Sequence, residues 1–245
     1  MKRIVIVGAS SGLGLGAARK WAARGFRLGL AARRPEALER LAAEYPGQIE
    51  WAAIDITRPE APGQLVELAE KLGGMDVYCH VAGIGYDNPA MDPEREAQMI
   101  TTNTAALARM TAAAYSYFRD HGRDGQIAAV TSVAGTAGIG SMAAYSASKC
   151  GAQAYLTALA QLAREQGVRV CVTDVRPGWT RTPLLHAGKR YMMEMEPDYA
   201  VRRIVRAVDR RRSVAYVDWR WGALCRVWRL LPRCVWTRLK TNFYR

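Results

Sequence analysis

Residues 2–14 read KRIVIVGASSGLG, an apolar run that leads directly into three glycines. The run favours a buried strand over residues 2–7, and the pattern after it favours a helix from Leu13 to about Ala23. Glycines in such a turn let the backbone approach a bound group closely, and the N-terminus of the following helix offers unpaired amides to a pyrophosphate. The spacing Gly-x-x-x-Gly-x-Gly differs from the commonest dinucleotide fingerprint, so the turn alone is a weak predictor of a nucleotide site.

Short apolar runs and helix-period stretches alternate along the whole chain. This alternation is typical of a parallel sheet covered by helices on both faces. Strands are predicted near residues 2–7, 27–32, 49–54, 76–81, 126–132, 168–174 and 214–217, and helices near 13–24, 35–44, 60–72, 94–119, 143–166 and 197–210. Half of the 245 residues are hydrophobic, which is enough for one large core. Together with the alternation of elements, this predicts one α/β domain, a Rossmann-type doubly wound parallel sheet of about seven strands.

A tyrosine, a lysine and a serine in the second half of the chain indicate the chemistry. Tyr145 and Lys149 stand four residues apart in the run YSASK, and Ser132 lies thirteen residues before Tyr145. On a helix, the spacing of four places the phenol and the ammonium on one face. A phenol normally ionises near pH 10, so the adjacent cation is expected to lower the pKa of Tyr145 and make it a usable proton donor. Ser132 then supplies a second hydroxyl to hold a carbonyl oxygen.

Taken together, these residues resemble the short-chain dehydrogenase/reductase family. The resemblance extends from the first strand to about Val217 and includes, in the family's order, the glycine turn, Asp55, Asn103, Ser132, Tyr145, Lys149 and the segment Pro177-Gly178-x-x-x-Thr182. It implies hydride transfer between a nicotinamide cofactor and a carbonyl or secondary alcohol, with Tyr145 as the general acid or base. It also implies that Lys149 holds the nicotinamide ribose. Asn103, through a local distortion of its helix, would hold a water that links Lys149 to solvent.

Each of these side chains also has an ordinary structural interpretation. Ser132 suits a turn after a strand. Tyr145 and Lys149 suit an exposed helical pair, and Asn103 suits a helix surface. Individually the structural interpretation is favoured for Ser132 and Asn103, but jointly the catalytic one is favoured because the intervals and the glycine turn coincide. The competing class of function is a non-catalytic NADP(H)-binding or membrane-peripheral scaffold with the same fold.

The end of the second predicted strand bears on the choice of cofactor. Unphosphorylated nicotinamide cofactors are usually held by an acidic residue about 20 residues after the glycines, whereas this strand ends Ala32-Arg33-Arg34. Two guanidiniums can pair with a 2′-phosphate, so NADP(H) is predicted. The alternative is that both arginines form a solvated strand end. The predicted cofactor-binding set is Gly8, Ser10, Ser11, Gly12, Leu13, Gly14, Arg33, Arg34, Asp55, Ile56, Ala82, Gly83, Tyr145, Lys149, Pro177, Gly178, Thr180 and Thr182.

Asp55 and the end of the fourth strand bear on how the adenosine is held. Asp55 corresponds to the family aspartate that hydrogen-bonds the adenine amine, although aspartate also favours a helix N-cap. At the fourth strand, the family's Asn-Asn-Ala-Gly is replaced by His80-Val81-Ala82-Gly83. The loss of both asparagines removes side-chain contacts that brace the strand end. This departure affects the expected cofactor affinity more than the reaction type.

The composition of the chain bears on its location, on the redox state of its cysteines and on metal binding. The chain begins directly with a strand, without a charged leader, and its apolar runs are too short to span a bilayer, so a cytoplasmic protein is expected. Five cysteines, odd in number and scattered, favour reduced thiols. The three histidines have no neighbours at metal-ligand spacing, so no metal site is predicted.

Residues 184–197 occupy the position of the family's variable substrate lid. Met192, Met193 and Met195 offer a soft apolar surface there. This surface favours a hydrophobic or lipid-like ketone or aldehyde over a sugar, and packing of the same methionines on the core is the equal alternative. By resemblance, the chain is also expected to form a dimer or tetramer through its helices near 94–119 and 143–166.

The positive charge of the chain is concentrated at its C-terminus. Residues 1–200 hold 22 Lys/Arg and 20 Asp/Glu, whereas residues 201–245 hold 13 and 2, within a net charge of +13. Residues 219–245 are predicted as an extension of a catalytic domain 1–218; they carry four tryptophans, with apolar and basic side chains at helical period on both sides of Pro232. Two short amphipathic helices of this kind suit an anionic membrane surface. Covering the catalytic body or a subunit interface is the commoner use of such a stripe, and nucleic acid is the least favoured partner.

Overall fold

The computed structural model describes residues 2–183, 185 and 191–241. Its strands are β1 Arg3–Val7, β2 Arg27–Ala32, β3 Ile49–Ala53, β4 Val77–His80, β5 Gly125–Val130, β6 Val170–Pro177 and β7 Val214–Val217. They form one parallel sheet in the order β3-β2-β1-β4-β5-β6-β7. The Rossmann-type doubly wound sheet of seven strands predicted from the sequence is confirmed.

Helices cover both faces of this sheet. They are α1 Gly12–Ala22, α2 Glu36–Glu44, α3 Ala61–Lys71, α4 Pro93–Ile100, α5 Ala106–Asp120, α6 Ala143–Glu165, α7 Pro197–Asp209, α8 Trp219–Leu230 and α9 Arg233–Trp236. Side chains of β1 alternate between two cores: Ile4 and Ile6 pack with α1 and α7, and Val5 and Val7 pack on the opposite face with α3, α5 and α6. Burial on both faces explains why the strands read as nearly continuous apolar runs.

The topology fixes where a ligand can bind. β1 pairs with β2 on one side and with β4 on the other, so the connections leave β1 in opposite directions along the sheet. In doubly wound sheets, the crevice at such a switch point, outside the carboxyl ends of the strands, is the usual binding site. The glycine turn after β1 and the Ala82-Gly83 pair after β4 lie at this switch point.

Several element boundaries differ from the sequence prediction, and three of the differences concern segments that carry predicted site residues. β5 ends at Val130, because the Ser132 hydroxyl accepts a hydrogen bond from the Ala134 amide and turns the chain into a 3-10 turn, Val133–Thr136. β6 runs on to Pro177, because it stays in register with β7 as far as the pair Pro177–Val217. The long helix predicted over 94–119 is interrupted between α4 and α5 by a π-helical segment, Thr101–Ala105, which is the local helix distortion at Asn103 that the family resemblance implies.

The C-terminal residues form the two short helices predicted around Pro232, namely α8 and α9. The inner face of α8 packs on the body of the protein: Trp221, Cys225 and Trp228 form a buried cluster with Val133. Trp236 of α9 donates a hydrogen bond from its indole nitrogen to the Gly138 carbonyl at 2.7 Å. This inner face therefore covers the body, as one of the alternatives expected. No helix within the described residues is long and apolar enough to cross a membrane.

Candidate active site

A cleft of about 390 Å³ lies at the carboxyl ends of the strands, at the switch point between β1 and β4. Every residue of the predicted cofactor-binding set lines this cleft, and Ser132 lines it as well. Asn103 does not line it, whereas the neighbouring Thr102 does. The fold thus brings together segments that are far apart in the sequence, while the role of each side chain in binding stays a prediction.

The glycine turn is shaped by close backbone packing. Gly8 has a φ of +91°, and a Cβ at this position would overlap the Ala82 amide nitrogen after β4. A Cβ at Gly14 would overlap the Gly8 carbonyl oxygen, so both positions require glycine. The Ser11 side chain makes no capping hydrogen bond to α1, which leaves the first amides of this helix uncapped beside the cleft. These features fit the pyrophosphate of a dinucleotide.

Two basic side chains, Arg33 and Arg34, line the cleft after β2, and both are exposed. Asp55 also lines the cleft, and its carboxylate accepts hydrogen bonds from the Thr57 amide at 3.0 Å and the Thr57 hydroxyl at 2.7 Å. Burial acts to raise the pKa of Asp55, but these hydrogen bonds and the charges of Arg33 and Arg58 hold the pKa below its usual value. Because α3 begins only at Ala61, the alternative of Asp55 as its N-cap is wrong.

Tyr145 and Lys149 lie on the inner face of α6, one helical turn apart. Tyr145 is 7% exposed and Lys149 is 5% exposed. The Lys149 ammonium lies 5.7 Å from the centroid of the Tyr145 ring and donates to the Val130 carbonyl at 3.4 Å. Ser132 reaches the same point from the end of β5 and hydrogen-bonds the Tyr145 side chain. The interpretation of Tyr145 and Lys149 as an exposed helical pair is therefore wrong.

The charge relation within this group differs from the expectation. Burial raises the pKa of Tyr145 above its ordinary value, although the hydrogen bond with Ser132 lowers it in part. Lys149 is not among the causes of the shift in the Tyr145 pKa, so the predicted lowering is not found. Burial also lowers the pKa of Lys149, to about 8, against the opposing charge of Asp174. The Tyr145 phenol is therefore neutral near pH 7 and carries a proton that it can donate.

Asn103 lies in the π-helical segment and braces the chain after β4. Its side-chain oxygen accepts from the Ile84 amide at 2.8 Å, and its amide nitrogen donates to the Ile84 carbonyl at 2.7 Å and to the Ser148 hydroxyl at 3.1 Å. A Cβ on Gly83 would stand 3.1 Å from the Asn103 oxygen and 3.2 Å from the Lys149 ammonium. Glycine at this position leaves space between Asn103 and Lys149.

His80 stands where the family has asparagine, and it is fully buried at the end of β4. Its Nδ1 lies 2.7 Å from the Tyr78 hydroxyl. Burial and the nearby charge of Lys149 lower the pKa of His80 to about 3, so the imidazole is neutral near pH 7. The strand end thus keeps a polar brace through Tyr78, which the sequence pattern does not predict.

Aromatic side chains line one part of the cleft. Trp179, Tyr191, Trp221 and Trp228 line it, with ring centroids 4.9 Å apart for Trp179–Tyr191 and 6.2 Å apart for Trp221–Trp228. The position of Trp221 and Trp228 fits the alternative in which residues 219–245 cover the catalytic body. Their spacing with Cys225 indicates that α8 has one buried face, but not what that face contacts.

The methionines of the predicted lid do not line the cleft. Met195 is buried in the core beside α1 and α7 and forms a β-bridge with Thr180, and Met192 is exposed. Met193 packs against the Trp221 cluster. The alternative that these methionines pack on the core fits Met193 and Met195, whereas Leu184 and residues 186–190 of the lid lie outside the described residues.

The fold and the residues around its cleft define the class of nicotinamide-dependent oxidoreductases. A family model described as short chain dehydrogenase matches residues 2–191. The chain therefore belongs to the short-chain dehydrogenase/reductase family, which confirms the resemblance inferred from its motifs. An uncharacterized oxidoreductase of Mycobacterium tuberculosis is 34% identical over 243 residues, which cover 95% of each chain.

Two solved structures illustrate the likeness of the fold. A 3-ketoacyl-(acyl-carrier-protein) reductase from Brucella melitensis, complexed with NADH, is 26% identical with a TM-score of 0.72, over 82% of this chain and 88% of that chain. An alcohol dehydrogenase from Thermococcus sibiricus, complexed with 5-hydroxy-NADP, is 27% identical with a TM-score of 0.72, over 85% and 88%. These relatives hold different nicotinamide cofactors, so they leave the choice between NAD and NADP to the residues of this chain.

Proposed function

We propose that this protein is an NADP(H)-dependent ketoreductase that reduces apolar ketones or aldehydes and oxidises the matching alcohols in reverse. The observation that carries the proposal is the meeting of Ser132, Tyr145 and Lys149 in the cleft that also contains the glycine turn. A non-catalytic scaffold would have no need for a buried lysine beside a buried, protonated phenol. The intact set therefore favours catalysis over the scaffold.

The nicotinamide, when bound, supplies the hydride for reduction and accepts it for oxidation. Negative charge then develops on the carbonyl oxygen, and the cleft must stabilise it and deliver a proton. The Ser132 hydroxyl holds this oxygen, and the Tyr145 hydroxyl donates its proton to it. Lys149 contributes a positive charge beside the phenol. By family resemblance, the proton on Tyr145 is replaced from solvent through Lys149 and the space that Gly83 leaves beside Asn103.

The proposed preference for NADP(H) rests on the charge at the end of β2. Arg33 and Arg34 line the cleft there, and the position before them is Ala32 rather than an acidic residue. A 2′-phosphate would meet two guanidiniums, whereas an unphosphorylated ribose would find no carboxylate from β2 to bind its hydroxyls. The bound NADH in the Brucella melitensis reductase shows that the fold alone does not decide this preference.

The proposed substrate class follows from the aromatic wall. Trp179, Trp221 and Trp228 are large apolar side chains at the substrate side of the cleft. Such a wall favours a hydrophobic or lipid-like carbonyl compound over a sugar.

We further propose a cytoplasmic enzyme that self-associates as a dimer or tetramer, with an anionic membrane surface as a partner of residues 219–245.

A panel of ketones and aldehydes, scored by consumption of NADPH and NADH, tests the proposal. Apolar substrates are expected to be reduced with NADPH, and Tyr145→Phe is expected to lower kcat by about 100-fold or more while NADPH binding stays unchanged. Tyr45→Phe, at the end of α2 and away from the cleft, serves as the matched control and should keep full activity. Undiminished turnover by Tyr145→Phe would exclude Tyr145 as the proton donor.

A further inference from the structure

We propose that the outer face of α8 and α9 docks on an anionic lipid bilayer, while the inner face of α8 forms a wall of the substrate cleft. One helix would thereby join a membrane surface to the site that takes apolar substrates. The docking itself is independent of the reductase assignment. Only its use, which is access to substrates dissolved in the membrane, rests on the proposed function.

The structure divides α8 into two faces. Trp221, Cys225 and Trp228 form the buried inner face. On the opposite side of the helix, Trp219 is 73% exposed and Leu230 is 82% exposed. These two residues are eleven positions apart, which is close to three helical turns, so their side chains lie on the same face of α8. Large apolar side chains exposed to this degree contribute to neither the cleft nor the core, so they can insert into the interface of a lipid bilayer.

Exposed apolar side chains are concentrated in this region. Among the described residues, eleven large hydrophobic side chains are exposed, and five of them lie in the short stretch from Trp219 to Leu239. These five are Trp219, Val227, Leu230, Val235 and Leu239. The other six are scattered over the rest of the chain, and scattered exposure of this kind is ordinary for a soluble protein.

The charge around these side chains has a single sign. Residues 219–245 contain no Asp or Glu. Arg220 pairs with the nearly buried Asp218 at 2.8 Å. No ion pair within the described residues involves the exposed basic side chains of the remaining stretch, which are Arg226, Arg229, Arg233, Arg238 and Lys240. Apolar side chains flanked by cations match the interface of a bilayer with anionic headgroups.

The same surface fits other partners less well. A nucleic acid needs exposed aromatic rings for base stacking, yet Trp221 and Trp228 are buried and Trp236 is held by its hydrogen bond to Gly138. Of the four tryptophans after residue 218, only Trp219 is free to stack within the described residues. A second copy of the chain would bring two positive surfaces together, which is unfavourable. The exposed aliphatic side chains favour lipid.

The full-length protein tests this proposal by co-sedimentation with vesicles, without nucleotide. Vesicles of phosphatidylcholine alone are compared with vesicles of phosphatidylcholine mixed with phosphatidylglycerol, each at low and high salt. Binding to the anionic vesicles that weakens with salt is the expected result. The double variant Trp219→Ser/Leu230→Ser should bind at least about tenfold more weakly, because both anchors lose their transfer from water. Met91→Ser, which changes an exposed apolar side chain elsewhere, should bind like the wild type.

A charge series completes the test. Arg226→Gln/Arg229→Gln should weaken binding by about fivefold for each arginine removed, whereas Arg40→Gln/Arg164→Gln, with the same change in net charge, should not. All four changed arginines are exposed, so the fold should be unaffected, and thermal melting checks this. The proposal would be refuted if the wild-type protein did not bind anionic vesicles, or if the Trp219→Ser/Leu230→Ser and Arg226→Gln/Arg229→Gln variants bound them as well as the wild type. Displacement from vesicles by single-stranded DNA at equal charge concentration would assign the surface to nucleic acid.

Discussion

Lys149 is a buried cation, and its burial opposes folding. Burial lowers its pKa from 10.5 to about 8, although Asp174 acts to raise it. The unfolded chain therefore binds more protons than the folded chain between these two values, so stability increases with pH across this window. The destabilisation is fully present below about pH 8 and is lost as the pH approaches 10.5. The same burial keeps the charge close to the phenol.

Replacement of this cation should make the protein more stable and inactive. Lys149→Met is expected to raise the free energy of unfolding near pH 7 by about 1–3 kcal/mol, because an apolar side chain then fills the buried site. Asp174 keeps its ion pair with Arg176 at 2.6 Å. Urea unfolding near pH 7 and near pH 10 measures the effect, which should shrink at the higher pH. Lys71→Met, at the exposed end of α3, is the control. A loss of stability in Lys149→Met would mean that the buried ammonium stabilises the fold.

Arg33 is the side chain on which the proposed cofactor preference depends most directly, since it follows β2, lines the cleft and acts electrostatically on Asp55. Arg33→Ala should lower kcat/KM for NADPH by about 10-fold to 100-fold, because a charge-assisted hydrogen bond to the 2′-phosphate is lost. The kcat/KM for NADH should change by less than about twofold. Arg40→Ala, on the exposed face of α2, is the matched control and should change neither value. Equal losses with both cofactors would exclude a phosphate contact.

At the scale of elements, the loop after β6 and helix α8 are packed so closely that only glycine fits between them. A Cβ on Gly178 would overlap the indole nitrogen of Trp221, which is fully buried. That indole nitrogen has no hydrogen-bond partner within the described residues. The position of α8 is therefore coupled to the Pro177-Gly178 backbone that lines the cleft.

This coupling can be measured by a double-mutant cycle. Gly178→Ala should destabilise the protein by about 1–3 kcal/mol through overpacking and should raise the KM for substrate. Adding Trp221→Leu removes the overlapping indole, so the double variant should be more stable than the sum of the two single changes predicts. Gly63→Ala in α3, where a Cβ meets nothing within 4 Å, should not destabilise and serves as the control. Strict additivity of the two free-energy changes would show that loop and helix are independent.

The sequence predicts those elements whose signals are local. The strand–glycine turn–helix at residues 2–24 and the spacing of Tyr145 and Lys149 both depend on patterns within a few residues. The raised pKa of Tyr145 could not be predicted, because it depends on burial that the whole fold creates. The inward direction of Trp221 and Trp228 could not be predicted for the same reason, since an amphipathic pattern shows that a helix has a buried face and not what that face contacts.

At the scale of the molecule, the outer face of α6 has the features of a contact surface between copies. Exposed small side chains recur along it at Ala143, Ala147, Ala154 and Ala158. Small side chains let the backbone of another helix approach closely, and an exposed row of alanines is poorly suited to water alone. Together with the family resemblance, this row supports the proposed pairing of two copies through α6.

A charge placed in this row should separate the copies. The wild-type protein is expected to sediment at a mass of at least twice the 27.0 kDa of one chain. Ala154→Glu, in the middle of the row, should sediment at the single-chain mass, because the contact would bury a carboxylate without a partner from each copy. Ala43→Glu on α2 introduces the same charge at another exposed alanine and should keep the wild-type mass. If the wild-type protein sediments as a single chain, or if Ala154→Glu leaves the mass unchanged, the exposed alanines of α6 face solvent and do not contact a second copy.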